Sequence, residues 1–419
     1  MKTKRRKTRR PNASEGSESR RESSEQIPVD VIIEILLRLP GKSVAKFCCV
    51  SKLWASLPRR SYFTELFLTR SSSRPQLLFA CQKHNGLFFF SSPQPQNPDK
   101  NSSPVAVTSH MKIPFNFNFS KERFPPIRGL LFLRGDQSVE GRRITVSLIC
   151  NPTTGQFLTL PLPKVTRIGV CVRNYFGYDP IQKQYKVLCM TSTVTGGGRH
   201  SVVSEEHQVL TLTREPSWRM IKCGIPHHPY RHQININGIC ISGVLYYTAA
   251  TYRSSVVSML VCFDVRSETF GFIHLNETLV GVVCSGTLIN YNGKLGALVL
   301  TEGPNSIKAS VCKTTSSFKL WILQDAVKEE WSEHTYFLSP SCRDIIGDSH
   351  LRFVGVTRRN EIVLSQLYHT WNQNAPFYIY YYDTETKRVV RVRIQGMEAS
   401  IGNKVCTFID HVENVFEIV

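Results

Sequence analysis

The apolar residues of this chain follow two periods, and the change of period divides it. In IPVDVIIEILLRLPGKSVAKFCCVSKLW, residues 27–54, they recur at helical spacing through Val31, Ile32, Ile35, Leu36 and Leu39. Pro28 and Asp30 suit a first helical turn, where a missing N–H is harmless and a carboxylate meets the positive dipole end. Pro40-Gly41 is expected to stop that helix. Ser43 is placed to cap a second one, with Val44, Phe47, Cys48 and Ser51 on one face. Leu53, Trp54 and Leu57 predict a third short turn before Pro58, and Tyr62, Phe63, Leu66 and Phe67 a fourth. Helices this short are marginal alone, so a partner surface must cover them.

From about Gln76 onward, short strands alternate with turn signals, which suggests a sandwich, barrel or propeller. One unit recurs. An apolar strand ends in Asp or Asn, a tight polar turn follows, and an aromatic or aliphatic residue opens the return strand. The examples are SLICNPTTGQF (Ser147–Phe157), LVCFDVRSETF (Leu260–Phe270), LWILQDAVKEEW (Leu320–Trp331) and YIYYYDTETKRVV (Tyr378–Val390), with a weaker copy in VLTLTREPSW (Val209–Trp218). The Asp or Asn side chain accepts backbone N–H bonds within such a turn. Most copies follow another hairpin element, as in GVLYY (Gly243–Tyr247), GKLGALVL (Gly293–Leu300) and NEIVL (Asn360–Leu364).

Two hairpins make a four-stranded blade, and turns roughly 50–60 residues apart sit near kelch-type repeats. A sandwich explains the strands but leaves this recurrence unexplained. The expected fold is therefore a small all-α module followed by an all-β, kelch-like propeller of five to six blades, six preferred. The closing blade would pair VCTFIDHVENVFEIV at the end of the chain with QLLFACQKHNGLFFF at the first β segment. The domain boundaries are residues 1–22 for a disordered basic tail, 23–70 for the helical module and 71–419 for the propeller.

Composition adds an address. The 13 cysteines are scattered singly apart from Cys48-Cys49, without a C-x-x-C pair, as buried hydrophobes in a reducing compartment would be. The Asn-x-Ser/Thr matches at Asn12, Asn101, Asn118 and Asn276 are accordingly read as idle. No apolar run approaches the ~20 residues of a membrane helix, and the charged N-terminus lacks the apolar core of a secretory signal. Net charge is +20, which favours acidic partners or surfaces. Residues 1–26 carry nine Lys/Arg against four Glu. Lys4, Arg5, Arg6, Lys7, Arg9 and Arg10 form a candidate nuclear-localisation cluster, with a solubilising tail as the equal alternative. Nucleus and/or cytoplasm is the expected location.

The helical segment resembles the F-box. The motif runs through Ile27-Pro28, Asp30, Glu34-Ile35-Leu36, Arg38-Leu39-Pro40, Lys42-Ser43, Phe47, Cys49-Val50, Lys52 and Trp54. It departs at Ile27, where leucine is usual, at Cys48, where a basic residue is common, and at Ala55, where arginine is frequent. The rest resembles the plant F-box-associated propeller, type 3, on CNPTTGQ, FGYDPIQKQYKVL, HQVLTLT, GICISGVLYY, CFDVRSETF, INYNGKL and LWILQDAVKEEW. The resemblance implies docking onto a Skp-type adaptor of a cullin ubiquitin ligase through Ile27, Pro28, Val31, Ile35, Leu36, Leu39, Pro40, Val44, Val50 and Trp54. Each docked side chain would contribute roughly 1.5–3 kcal/mol before ordering costs. Some of the small aliphatics could instead pack on the chain's own linker helix.

A search for chemistry finds no P-loop, G-x-S-x-G, H-E-x-x-H or dinucleotide fingerprint. CGIPHHPYRH offers Cys223, His227, His228 and His232, but the spacings match no familiar zinc site, and Pro226 and Pro229 mark a solvated inter-blade loop. Asp325, Glu329 and Glu330 read as hairpin-turn charge, and Gly196-Gly197-Gly198 as a flexible loop. No catalytic, cofactor or metal residue is assigned. The reading is a non-catalytic substrate receptor that brings an unidentified protein target to the ligase for ubiquitination, with loops Lys222–His232 and Thr193–Glu206 as candidate target contacts. The alternative is a nuclear nucleic-acid-associated or scaffold protein without ligase activity. An enzyme using the propeller's channel has no residue constellation behind it.

Overall fold

The computed structural model describes residues 27–83, 86–98, 105–113, 118–119, 124–139, 142–164, 170–194, 202–229, 238–251, 259–301, 310–366, 376–397, 400–416 and 418. The basic cluster Lys4–Arg10, Gly196–Gly198 and His232 lie outside them.

Each of the four full copies of the recurrent turn is a hairpin, and its Asp or Asn organises it. Asn151 Oδ1 accepts the Thr153 N–H at 3.0 Å, Asp264 that of Ser267 at 2.7 Å, Asp325 that of Val327 at 2.8 Å and Asp383 that of Glu385 at 2.8 Å. Asp179 does the same for Ile181 at 2.8 Å. Four residues beyond each of these, the chain turns left-handed before the return strand: Gly155, Lys183, Glu268, Glu329 and Lys387 all have φ between 55° and 79°. The partner hairpins use two-residue turns. Arg128-Gly129, Ser242-Gly243 and Asn292-Gly293 have positive φ at both positions, the geometry that matches strand twist.

The hairpins assemble into six antiparallel sheets, so the structure is a six-bladed propeller. Blade 1 holds Gln76–Lys83, Gly86–Pro93 and Thr108–Ile113, and its edge strand is Lys404–His411 from the end of the chain. Blades 2 and 3 run from Asn118 to Thr159 and from Val170 to Ile221. Blades 4, 5 and 6 run from His227 to His274, Thr287 to Phe337 and Leu351 to Gln395. Lys404–His411 pairs with Gln76–Lys83, placing Ala80 opposite Cys406. The expected end-to-end closure is therefore present. A second clasp was not foreseen: Val105-Ala106, within the blade 1 segment, pairs in parallel with the outer strand of blade 6.

Period-two alternation sends each strand's side chains into two different cores. Leu78 and Ala80 face Leu131 and Leu148 of blade 2, whereas Leu77, Phe79 and Cys81 face Tyr381, Phe377 and Val392 of blade 6. Phe79 meets Phe377 edge to face at 5.9 Å between ring centroids. Cys81, Cys150, Cys189 and Cys406 are buried outside any disulfide, as expected of single hydrophobic cysteines. Asn276 uses its side chain to cap the helix Glu277–Ser285, accepting the Leu279 N–H at 2.9 Å. Among the described residues, no helix is long and apolar enough to cross a membrane.

Candidate functional site

Four helices precede the propeller: α1 (Val29–Arg38), α2 (Gly41–Phe47), α3 (Lys52–Ser56) and α4 (Ser61–Ser72). Two capping expectations change. Pro40-Gly41 does follow the end of α1 at Arg38, but it also starts α2, because the Pro40 carbonyl already accepts the Ser43 and Val44 N–H groups at 2.8 and 3.1 Å. Ser43 thus lies inside α2. Ser51, expected on the α2 face, caps α3 by accepting the Trp54 N–H at 3.2 Å.

α1 is apolar on two sides, and tertiary packing chooses between them. Ile32, Leu36 and Leu37 turn inward with Val44, Leu57, Phe63 and Phe67. The remaining member of this core is Val415, from the end of the chain. Val31 and Ile35, one turn apart on the opposite side, are exposed, as are Ile27 and Val50. The ten proposed docking residues therefore separate. Leu36 and Val44 are 1% and 0% exposed and pack in the chain's own core, apart from the exposed docking candidates. The reason is that α4 and Val415 supply the apolar cover that the sequence could not locate. Leu39 and Trp54 are half-buried, with Trp54 5.2 Å from the Phe47 ring, while Pro28 and Pro40 are exposed at helix starts. Three exposed apolar side chains were missed: Val29, Leu53 and Tyr62. For Leu53 the signal was its position beside the half-buried Trp54.

The helices are anchored to the propeller, so the exposed face has a fixed orientation. Glu413 donates its backbone N–H to Ser71 Oγ at 2.7 Å. Arg128, in a blade 2 turn, pairs with Glu65 of α4 at 2.6 Å and lies 4.7 Å from the Tyr178 ring centre. Gly41 sits so close to Thr153 and Glu413 that a Cβ there would strike the Thr153 methyl. Burial pushes the Glu413 carboxyl above its usual pKa, partly offset by the Gly41 N–H and the Arg74 charge. Asn414 donates its side-chain N–H to the Arg128 carbonyl at 2.6 Å, and Asn151 donates to the Asn414 carbonyl at 2.9 Å.

Residues 24–66, which hold this exposed face, match the family described as F-box domain, and residues 76–412 match the F-box associated beta propeller domain. The chain is an F-box protein of the F-box-associated propeller family. The F-box protein DOR of Arabidopsis thaliana is 49% identical over 416 residues, covering 98% of this chain and 99% of that protein. F-box protein At5g65850 of the same plant is 49% identical over 409 residues, covering 97% and 94%. A solved propeller domain, from the trilobed protease of Pyrococcus furiosus, aligns with a TM-score of 0.32 at 10% identity, covering 66% of this chain and 71% of that one; so loose a likeness carries no argument.

In the F-box-associated propeller, His207, the residue after Thr193–Glu206 and part of the strand Val202–Thr211, and His227, within Lys222–His232, have ring centroids 5.0 Å apart. CGIPHHPYRH is not wholly a solvated loop, because His227–Pro229 forms a short strand of blade 4. Burial, helped by the neighbouring His227, lowers the His207 pKa to about 3. The acidic Asp325 and Glu329 are hairpin-turn groups as expected; Glu329 accepts the His274 N–H at 2.8 Å.

Proposed function

We propose that this chain is a non-catalytic substrate receptor of a Skp–cullin–F-box ubiquitin ligase, docking on the adaptor through its F-box and holding a protein target with its propeller. The observation that carries the reading is the exposure of Val31 and Ile35 on α1, with Ile27 just before that helix and Val50 between α2 and α3, while the opposite side of α1 is packed into a core that includes Val415. Exposed aliphatic side chains held at fixed positions favour a partner that buries them, at roughly 1.5–3 kcal/mol for each one fully covered. The anchoring through Val415, Glu413 and Arg128 fixes the spacing between adaptor and target, which suits a protein that positions one partner against another.

The test uses the full chain with the adaptor. Ile35→Asp should abolish co-purification, because an unpaired carboxylate enters an apolar contact, while the propeller's melting transition is preserved. The same variant should still bind the target without promoting its ubiquitination. Unchanged adaptor binding would overturn the reading. The basic residues Lys4, Arg5, Arg6, Lys7, Arg9 and Arg10 are proposed as a nuclear address. Deleting residues 1–22 should move a fluorescent fusion away from the nucleus without changing the melting temperature of the adaptor complex. An unaltered distribution would reduce the arm to solvation.

A further inference from the structure

His207 is buried in the third strand of blade 3, 1% exposed, and neither of its ring nitrogens has a hydrogen-bond partner. A buried imidazole with both nitrogens unmatched is costly, and native proteins rarely leave one so. Its neighbours supply the explanation. Cys223 follows the outer strand of blade 3, His227 opens blade 4, and the donor atoms of all three residues lie within 4.8 Å of one another. We propose that His207, Cys223 and His227 bind a single zinc-class divalent ion that clips blade 3 to blade 4.

The donor set and the spacing agree. One thiolate and two imidazoles suit zinc and disfavour calcium or magnesium, which take oxygen. Zinc–sulfur and zinc–nitrogen bonds at a tetrahedral angle put the two donors about 3.6 Å apart; Cys223 Sγ and His227 Nδ1 are separated by 3.6 Å. Two nitrogen donors would lie about 3.4 Å apart, so from separations of at most 4.8 Å binding asks His207 to close by no more than about 1.4 Å. His227 Nε2 lies 2.8 Å from the Tyr247 hydroxyl, where an outer-shell partner orients a ligating imidazole. Without the ion, Cys223 Sγ donates to the Ile225 carbonyl at 3.2 Å and His227 Nδ1 lies 2.8 Å from the same oxygen. The ion replaces these contacts: Cys223 gives up its proton to solvent on binding, and the His227 proton moves from Nδ1 to Nε2, which then donates to the Tyr247 hydroxyl. Phe270 stands 5.2 Å from the His207 ring and Phe272 5.5 Å from the His227 ring, keeping the site apolar around its donors. Sequence spacing alone pointed away from this site, because the third donor comes from a different strand.

The proposal is independent of adaptor docking, since none of the three residues lies on the F-box. The full chain is stripped with a chelator and titrated with Co(II), then with Zn(II). One equivalent of Co(II) should give tetrahedral d–d absorption and a thiolate-to-cobalt charge-transfer band, and one equivalent of Zn(II) should bleach both. The melting temperature should rise and level off at that same equivalent. Cys223→Ser, at a partly exposed position, should lose the charge-transfer band, and Cys312→Ser should keep it. No stoichiometric uptake by the unaltered chain, or a band that survives Cys223→Ser, would overturn the site.

Discussion

Lys387 shows how a single residue can oppose the turn it occupies. Its φ of 55° is left-handed, a region that costs an L-residue about 1–2 kcal/mol and glycine almost nothing. Blade 2 has Gly155 at the equivalent place, whereas blades 3 to 6 carry Lys183, Glu268, Glu329 and Lys387. Replacing the exposed Lys387 by glycine should therefore stabilise the propeller by about 0.5–1 kcal/mol, part of the gain being lost to the freer unfolded chain. Thermal melting measures it. Glu268 is a different case, for its side chain also joins two blades. It accepts from Lys186 at 2.8 Å and from Arg219, both of blade 3. Burial resists ionisation of Glu268, but these cationic partners outweigh it and hold the pKa below the ordinary carboxylate value. A depressed folded pKa contributes stability above the unfolded value and loses it as pH falls through the folded one. Glu268→Gln should cost about 3 kcal/mol near neutral pH, because it leaves Lys186 buried without its charge partner. The gap to the unaltered chain should narrow in acid denaturant melts as pH drops below the carboxylate range. A gap that does not change with pH would remove the ion pair from the account.

At the scale of the element, α1 carries two apolar faces, one buried and one exposed. Isolated, a helix of this length is marginal, so its inward face must be paid for by packing on α4 and Val415 before its outward face can present anything. Leu36→Asp and Ile35→Asp therefore part company. The first places a carboxylate in the helical core and should melt the four helices. The second should leave them folded and, on the proposed reading, remove only docking, as circular dichroism beside co-purification will distinguish. The pattern of Val31, Ile32, Ile35, Leu36 and Leu39 predicted the helix correctly but could not say which face was which, because apolar residues on both sides satisfy the same period. Likewise Ser43 was read as the cap of α2, and the Pro40 carbonyl starts that helix earlier.

In the whole molecule, the first and last strands of the propeller meet. Lys404–His411 completes blade 1, and the residues just beyond it join the F-box core through Val415 and bind blade 2 through Asn414. Removing residues 405–419 should leave the Gln76–Lys83 edge unpaired and uncover the helices. The expected product is insoluble, or lacks a cooperative melt, and a soluble product that melts cooperatively would show that the ring closes without its last strand. The sequence by itself determined the hairpins, the blade repeat and the helices. Those depend on information a few residues apart: an Asp that caps its own turn, Asn-Gly where both φ values are positive, apolar positions at period two or near 3.6. Only the tertiary structure decided that Leu36 and Val44 turn inward, that Val415 belongs to the F-box, and that His207 meets Cys223 and His227. Each of those outcomes joins residues from different elements, and a local period carries no record of which distant surface will cover it.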